Sequence, residues 1–246
     1  MDARAVCEFL DWDSTFFGRR IARVLGSCLT EKSINDIDSW CGEHKIDCLY
    51  FLAAPSDQRT ARLAQENGFR FVDFRVTLDL GISKASGPCG GATGTMIRKA
   101  TEADLDSLKA LARCSHRDTR FYYDGNFPLR RCDELYETWI EKSCRGWAKN
   151  VLIATNRAEI EGYISCHVPS ARSGQIGLVG VSEKAQGKGV GNELLINAIR
   201  WFCEEGVEIV KVVTQGRNVR AQRLYQRCGF VTRSEELWFH RWSSEA

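Results

Sequence analysis

Six consecutive residues, Gln186 to Gly191, have the composition of a loop that binds a phosphate group. Glycine stands at every second position, and the segment follows an apolar run and leads into an amphipathic helix. Glycine reaches positive φ at little steric cost and lets a ligand approach the backbone. Backbone N–H groups at the start of a helix attract anions. The loop therefore predicts a backbone site for a phosphorylated ligand, with a plain glycine-rich turn as the alternative.

Two other glycine-rich phosphate motifs do not fit these residues. A Walker A loop requires Ser or Thr after Gly-Lys, but Lys188 is followed by Gly189. A dinucleotide fingerprint requires G-x-G-x-x-G and an acidic residue at the end of the next strand. Here the third glycine comes one residue early, and the next predicted strand ends Val213-Thr214-Gln215. Neither a Walker NTPase nor a dinucleotide-binding enzyme is therefore expected.

The cysteines are also residues that often do chemistry, but their spacing predicts no site. The chain has 11 of them, an odd number, scattered and without a Cys-x-x-Cys pair. We therefore expect reduced thiols that act as small core residues, with neither a metal site nor a disulfide framework.

Composition and charge exclude several classes of function. The 246 residues are 43% hydrophobic and 27% charged, as in soluble globular proteins. A net charge of +2 offers no concentrated basic face for a nucleic acid polymer. No run approaches the ~20 apolar residues that a membrane-spanning helix needs, and the first residues lack the layout of a signal peptide. We therefore expect a cytoplasmic protein without a membrane partner.

The elements that would position the glycine loop fall into two predicted units. Residues 81–95 read GISKASGPCGGATGT, and this Gly- and Ser-rich composition predicts a flexible linker. Residues 1–80 are expected to form a smaller, partial α/β domain. Residues 96–246 are expected to form the larger domain, which contains the loop.

The smaller unit ends in the clearest strand pattern of the chain. From residue 72 to residue 80 apolar and polar side chains alternate, with Phe74 on the apolar side and Asp73 on the polar side. This period is typical of a half-buried strand. The other elements predicted in this unit are helices at 33–44 and 59–67 and a strand at 48–53.

The larger unit mixes strands and helices around the loop. The strands predicted before the loop are 97–100, 151–155, 160–167 and 175–181, with two helices between the first and second. After it come a helix to about residue 205, a strand at 208–214, a helix at 218–227 and terminal strands from 230 to 242. This order predicts an α/β sheet with both hairpins and a crossover.

A short segment occurs twice in similar form. Residues 59–69 resemble residues 220–230, and each copy lies between two predicted strands. The first copy has no glycine loop before it and has Ala64 where the second has Tyr225. We interpret the smaller unit as a degenerate half-copy that serves as scaffold, with chance similarity as the alternative.

The loop resembles the signature Q/R-x-x-G-x-G/A of the GCN5-related N-acetyltransferase (GNAT) superfamily. Gln186, Gly189 and Gly191 match its three positions, and the resemblance runs from about Met96 to the C-terminus. It implies a mixed, mostly antiparallel sheet flanked by helices, and acetyl-CoA as the cosubstrate.

Further motifs of the superfamily occur in the expected order. The strand at 175–181 resembles the central strand that pairs with the pantetheine arm, and residues 220–225 resemble the A-x-x-L-Y pattern. Gly229 and Phe230 resemble the Gly-Phe that begins the last hairpin. The coenzyme-binding residues that this implies are Val179, Gly180, Val181, Gln186, Gly187, Lys188, Gly189, Val190, Gly191, Asn218 and Arg220.

The resemblance also implies the chemistry, which is direct transfer of an acetyl group to an amine. Tyr225 matches the tyrosine that protonates the leaving thiolate, with a tyrosine packed on the sheet as the alternative. A backbone N–H of residues 179–181 would hold the developing oxyanion. No general base stands out. His116 is a candidate because of its place in the loop after the first helix of the larger unit, and a solvated surface histidine is the alternative.

Two stretches outside these motifs point to the acceptor. Residues 12–18, WDSTFFG, resemble a W-D/E-x-x-F-F-G segment of TDP-fucosamine acetyltransferase and related enzymes, and so do residues 119–127. The resemblance implies an amine on a nucleotide-linked 4-amino-4,6-dideoxy sugar used for a bacterial surface polysaccharide such as lipopolysaccharide. Arg120, Phe121 and Tyr123 are the expected acceptor-binding residues, with a loop whose aromatic residues only attach it to the core as the alternative.

Two other functions remain open at the level of sequence. One is a protein or peptide N-acetyltransferase on the same fold, and the other is a non-catalytic module that binds acyl-CoA. The expected partner is a small-molecule amine. Exposed edge strands also allow a homodimer.

Overall fold

The computed structural model describes residues 6–82, 95–157 and 159–243. The strands are β1 (Cys7–Phe9), β2 (Ile21–Val24), β3 (Cys48–Ala53), β4 (Arg70–Gly81), β5 (Met96–Lys99), β6 (Asn150–Asn156), β7 (Glu159–Ser170), β8 (Ser173–Val181), β9 (Ile209–Gln215) and β10 (Val231–Trp242). The α-helices are α1 (Asp11–Phe17), α2 (Glu31–Glu43), α3 (Gln58–Glu66), α4 (Leu105–Ser115), α5 (Arg120–Asp124), α6 (Leu129–Lys142), α7 (Val190–Glu204) and α8 (Val219–Arg227).

All of these strands belong to one sheet, in the order β1-β2-β3-β10-β4-β9-β8-β7-β6-β5. The pairs β2–β3 and β8–β9 are parallel, and the other neighbours are antiparallel. Helices cover both faces. The predicted mixed, mostly antiparallel α/β sheet is therefore confirmed.

The two halves of the chain interleave at the centre of this sheet. Strand β10 lies between β3 and β4, and strand β4 lies between β10 and β9. Each half thus inserts its last strand between two strands of the other half. Most of the predicted linker, residues 83–94, lies outside the described residues, and the division into two domains stays a prediction.

The repeated segment has the same local structure in both copies. Helices α3 and α8 each end before a glycine in the left-handed region, Gly68 at φ 79° and Gly229 at φ 88°. The phenylalanine after each glycine, Phe69 or Phe230, is 2% exposed. Glycine suits these helix ends because an L side chain is strained at positive φ.

The expectation of several terminal strands was wrong. Residues after Phe230 form the single strand β10, and its antiparallel neighbours are β3 and β4. The edge of β9 is occupied by β4 over seven residue pairs, from Arg75–Gln215 to Gly81–Ile209. No edge is therefore left there for a second C-terminal strand.

The alternation predicted for residues 72–80 breaks near its start. Val76, Leu78 and Leu80 are buried as predicted, but Phe74 is 44% exposed and Asp73 is 1% exposed. The β4–β10 register shifts at this point, between the pairs that Trp238 and Phe239 form. The pairs from Asp73–Trp238 to Thr77–Ser234 are unbroken, so Phe74 stays on the same face as Val76 and is exposed because it lies outside the core cluster that contains Val76, Leu78 and Leu80.

The core is divided between the two faces of the sheet. Leu152 and Ala154 of β6 pack with α7 and α8, whereas Val151 and Ile153 pack with α4 and α6. We call these sides the α7 face and the α4 face. Helix α5 lies on the α4 face, since Phe121 belongs to the same cluster as Val151 and Ile153.

Candidate active site

The parallel strands β8 and β9 pair over only part of their length. Their register runs from Ser173–Ile209 to Ile176–Val212, although β8 continues to Val181 and β9 to Gln215. On its other side β8 stays paired with β7 as far as Val181. The strands thus separate into a wedge, which leaves an edge of β8 where a narrow polar ligand can pair with the backbone.

The glycine loop lies at the open end of this wedge. Gly187 and Gly189 have φ 78° and 88°, and α7 begins at Val190. Among the described residues, no backbone acceptor pairs with the N–H of residues 187, 189, 190 or 191. These amides stand at the positive end of a 15-residue helix. Unpaired amides at the start of a helix are an arrangement that can bind a phosphate group, and the assignment of this loop to a phosphate stays a prediction.

Gln186 ties the loop to its neighbours on both sides. Its Nε2 donates to the carbonyl oxygen of Val181 at 3.3 Å, and its Oε1 accepts from Arg220 Nη1 at 2.6 Å. Gln186 therefore links the end of β8 to the start of α8. Asn218 caps α8, because its Oδ1 accepts from the N–H of Ala221 at 3.1 Å.

Small residues allow close packing beside the wedge. A Cβ on Gly180 would stand 2.5 Å from Cε1 of Tyr163, and one on Gly191 would stand 3.2 Å from Leu224. The close approach at Gly180 means that the Tyr163 ring packs against β8 between Val179 and Val181, in the part of β8 that borders the wedge. The contact at Gly191 brings α7 and α8 together.

Tyr225 belongs to the apolar core on the α7 face. Its side chain is 4% exposed, and its ring centroid is 5.8 Å from that of Phe230. Burial raises the pKa of Tyr225 well above its usual value, so the phenol is protonated at neutral pH. The buried phenol therefore carries a proton at neutral pH, although its raised pKa makes it a weaker acid than a phenol in water.

His116 is held by two tyrosines on the α4 face. Its Nε2 lies 2.7 Å from the hydroxyl of Tyr163, and its ring stacks on Tyr136 with centroids 4.6 Å apart. Burial lowers the pKa of His116 to about 4, so the imidazole is neutral at pH 7. The histidine contacts the tyrosine that lies under Gly180, and it is not the solvated surface residue of the alternative interpretation.

The predicted acceptor residues lie on α5 in three different environments. Arg120 has its guanidinium carbon 4.2–4.3 Å from the ring centroids of Tyr50, Phe121 and Trp238, and its Nη1 is 2.5 Å from His240 Nε2. The Phe121 ring is 4% exposed and packs in the core. Tyr123 is 52% exposed.

Two charged residues that the sequence did not single out lie beside Tyr123. Arg217 follows the end of β9, and its Nε is 3.0 Å from Oδ2 of the buried Asp73. The guanidinium carbon of Arg217 is 3.5 Å from the ring centroid of Tyr123. No local pattern indicates this group, because its members come from three separate parts of the chain.

The described residues add two observations on other classes of site. None of their helices has the length and hydropathy to cross a bilayer. None of their His, Cys, Asp and Glu side chains form a group of three or more that could hold a metal ion.

Comparison with known proteins agrees with this geometry. Residues 110–230 match the acetyltransferase (GNAT) family, and this segment contains the wedge, the glycine loop and Tyr225. The chain is 27% identical over 243 residues to the dTDP-fucosamine acetyltransferase of Escherichia coli O6:H1, across 98% of this chain and 100% of that protein.

Two further similarities are more limited. The spore coat polysaccharide biosynthesis protein SpsD of Bacillus subtilis is 28% identical over 141 residues, which are 56% of this chain and 48% of that protein. The crystal structure of a GCN5-related N-acetyltransferase from Sphaerobacter thermophilus superposes with a TM-score of 0.64 at 15% identity, covering 96% of this chain and 76% of that chain. The last likeness concerns the fold alone. From the matched family model, residues 110–230 belong to the GNAT family of acetyltransferases.

Proposed function

We propose that the protein transfers an acetyl group from acetyl-CoA to the amine of a nucleotide-linked sugar of the dTDP-4-amino-4,6-dideoxyhexose type. The observation that carries the transfer chemistry is the β8–β9 wedge, with the unpaired amides of the glycine loop at its mouth. The acceptor class is supported by the similarity to a dTDP-fucosamine acetyltransferase, which extends through the N-terminal part of the chain.

In this proposal the coenzyme is bound mainly by backbone. The amides of Gly187, Gly189, Val190 and Gly191 receive the pyrophosphate, and Lys188 adds a positive charge at the same loop. The free edge of β8 at residues 179–181 pairs with the amide groups of the pantetheine arm. Asn218 and Arg220, at the start of α8, complete the binding site near the loop.

Acetyl-CoA supplies the acetyl thioester, and the protein residues handle the charges that develop during transfer. The neutral amine forms the new C–N bond at the thioester carbonyl. A backbone N–H within residues 179–181 donates to the oxygen on which negative charge develops. Tyr225, whose phenol is protonated at neutral pH, gives its proton to the sulfur as the C–S bond breaks. The proton that the new C–N nitrogen loses passes to solvent water, from which the Tyr225 phenolate is protonated again.

The acceptor approaches from the α4 face, where α5 and the loop before it lie beside the wedge. Arg120 and Tyr123 are the predicted contacts on that side, and Phe121 supports Arg120 from the core. The proposal also places the protein in the cytoplasm and its product in a surface polysaccharide such as lipopolysaccharide.

A panel of amines tests this proposal. Purified protein with acetyl-CoA is expected to release free CoA thiol in the presence of a dTDP-4-amino-4,6-dideoxyhexose, with mass spectrometry showing one added acetyl group on the sugar. Peptides with free N-termini or lysines serve as the comparison. Transfer to peptides alone would favour a protein acetyltransferase. Binding of acetyl-CoA without transfer to any amine would favour a non-catalytic module.

A further inference from the structure

Arg217 is held in a fixed position at the end of β9. Its Nε is 3.0 Å from Asp73 Oδ2, and its Nη2 donates to the carbonyl oxygen of Val72. The Asp73 side chain is 1% exposed, whereas that of Arg217 is 29% exposed. A buried carboxylate and a backbone carbonyl thus orient a guanidinium that still reaches solvent.

This guanidinium lies on the α4 face, across the sheet from α7. Asp73 pairs with Trp238, whose ring packs with the cluster on the α4 face. Tyr123 of α5, on the same face, covers Arg217 with its half-exposed ring. Arg217 is therefore separated by the sheet from Tyr225 and the α7 core, and it faces the side from which we expect the acceptor.

Several polar atoms around Arg217 have hydrogen-bonding capacity to spare. Although Arg217 Nε and Asp73 Oδ2 are close, their alignment does not make a hydrogen bond. The buried Oε1 of Gln215, two residues earlier on β9, has no partner among the described residues. The oxygens of Asp73 and Gln215 are acceptors and do not bind an anion themselves, so the donors left for an anionic ligand are those of the partly exposed Arg217 guanidinium.

Arg120, the arginine expected to contact the acceptor, is less suited to bind an anion. Three aromatic rings surround its guanidinium, and one of its nitrogens is directed at His240. Among the described residues, one ring contacts the Arg217 guanidinium, that of Tyr123, and it is itself half exposed. An oriented guanidinium beside an exposed ring suits a phosphate group joined to a planar base.

We propose that Arg217 and Tyr123 bind the nucleoside diphosphate part of the acceptor, with Asp73 as the positioning residue for Arg217. This inference rests on the proposed function and assigns one part of its substrate. It gives the N-terminal half of the chain a role in acceptor binding, because Asp73 and Val72 belong to β4.

Titration calorimetry with dTDP tests the inference without any turnover. Arg217→Gln is expected to weaken dTDP binding by about tenfold or more, since a charged hydrogen bond to phosphate is lost. Its dissociation constant for acetyl-CoA should stay within about twofold, because the coenzyme loop lies elsewhere. Asp73→Asn should weaken dTDP binding by a smaller factor, because the guanidinium remains but is less firmly oriented.

The chain offers a matched control, because a second Arg–Asp pair also contains an aspartate of β4. In this pair the arginine belongs to β10. Arg233 Nε lies 3.9 Å from Asp79 Oδ2, and the Arg233 side chain is 75% exposed. Arg233→Gln removes the same charge and should leave dTDP binding unchanged. Tyr123→Ala is a second probe, since a half-exposed ring can be removed without emptying the core, and it should also weaken dTDP binding.

The outcomes separate this inference from the proposed function. Unchanged dTDP affinity in Arg217→Gln or Tyr123→Ala would overturn the inference. It would also be overturned if Arg217→Gln lost affinity for acetyl-CoA and kept its affinity for dTDP. If the unaltered protein neither binds dTDP nor acetylates any dTDP-linked amino sugar, the proposed function itself fails. In kinetics, Arg217→Gln should raise the KM for the nucleotide sugar with little change in the KM for acetyl-CoA.

Discussion

Tyr225 and His116 lie on opposite faces of the sheet, and burial acts on both of them. It raises the pKa of the Tyr225 phenol and lowers the pKa of the His116 imidazole to about 4. In each case the low-dielectric surroundings disfavour the charged form. At pH 7 the phenol therefore keeps its proton, while the imidazole is neutral and bonded to Tyr163. Burial thus keeps both side chains neutral at pH 7, and it makes the phenol a weaker acid and the imidazole a weaker base than they are in water.

Tyr225→Phe is expected to lower kcat by roughly 10²-fold or more, because the leaving thiolate loses its proton donor. The dissociation constant for acetyl-CoA should change little, since the ring and its packing against Phe230 remain. Single-turnover measurements of CoA release, with calorimetry for binding, check both parts. Near-normal turnover would remove Tyr225 from the mechanism.

Gly187→Ala is expected to weaken acetyl-CoA binding by roughly tenfold or more, because a methyl group would enter the space through which the phosphate approaches the amides. A Cβ at residue 187 meets no protein atom within 4 Å, so the space is open in the protein itself. Calorimetric titration with acetyl-CoA measures the change.

Gly206→Ala is the matched control for that variant. Gly206 has φ 74°, close to the 78° of Gly187, and a Cβ there also meets no atom within 4 Å. Each substitution should lower the unfolding free energy by about 1–2 kcal/mol, because an L residue is strained in the left-handed region. Equal acetyl-CoA affinities in the two variants would show that the loop does not bind the coenzyme.

Helix α5 is too short to be stable alone, and polar contacts fasten it to β10. Asp124, its last residue, accepts from Trp242 Nε1 at 2.9 Å and forms a hydrogen bond with Nδ1 of His240. Phe121 and Phe127 anchor the same segment in the core. The residues of α5 that we propose to contact the acceptor therefore depend on the last strand, β10, for their position.

The stability of this attachment should depend on pH through His240. Burial, followed by the nearby Arg120 cation, lowers the pKa of His240 to about 4, although the Asp124 carboxylate acts in the opposite direction. An unfolded histidine titrates near pKa ~6.5, so between these values the unfolded chain binds a proton that the folded protein does not. This contribution to stability is complete above pH ~6.5 and is lost as the pH falls towards about 4.

Urea unfolding at pH 7.5 and pH 5 measures this effect. We expect the unfolding free energy to fall by about 2 kcal/mol between these two values from His240 alone. His240→Gln should show a correspondingly smaller change with pH, whatever its absolute stability. The same pH dependence in both proteins would show that His240 is not responsible.

The interleaving of β4 and β10 makes the whole sheet depend on both halves of the chain. Without β4, the strands β9 and β10 would lose the neighbour that joins them. Without β10, the strands β3 and β4 would be separated in the same way. Exposed strand edges with apolar faces tend to aggregate.

Separate expression of residues 1–82 and 95–246 tests this dependence. Each fragment alone is expected to aggregate or remain unfolded, because its sheet lacks a central strand. Co-expression should restore a complex that binds acetyl-CoA. Size-exclusion chromatography with light scattering distinguishes the cases. A monomeric, folded 95–246 fragment that binds acetyl-CoA would show that the larger unit is an independent domain.

The amino-acid sequence alone determined the features that depend on neighbouring residues. The glycine loop, the helix that follows it and the repeated helix-glycine-phenylalanine segments are local, because backbone preference and side-chain periodicity act over a few residues. The α/β class and the GNAT family followed from these local signals in their order. Tyr225 was predicted as the proton donor because it stands at a fixed place in such a motif.

The tertiary structure decided which distant segments meet. An alternating strand such as β4 carries no information on its neighbours, since the same period suits any partner with a complementary face. The placement of β4 between β9 and β10 lowers the free energy of the whole sheet, and it brings Asp73 beside Arg217 and Tyr123. That placement explains why the strand β10 has no second C-terminal strand beside it. It also explains why the group of Asp73, Arg217 and Tyr123 is not visible in any single stretch of sequence.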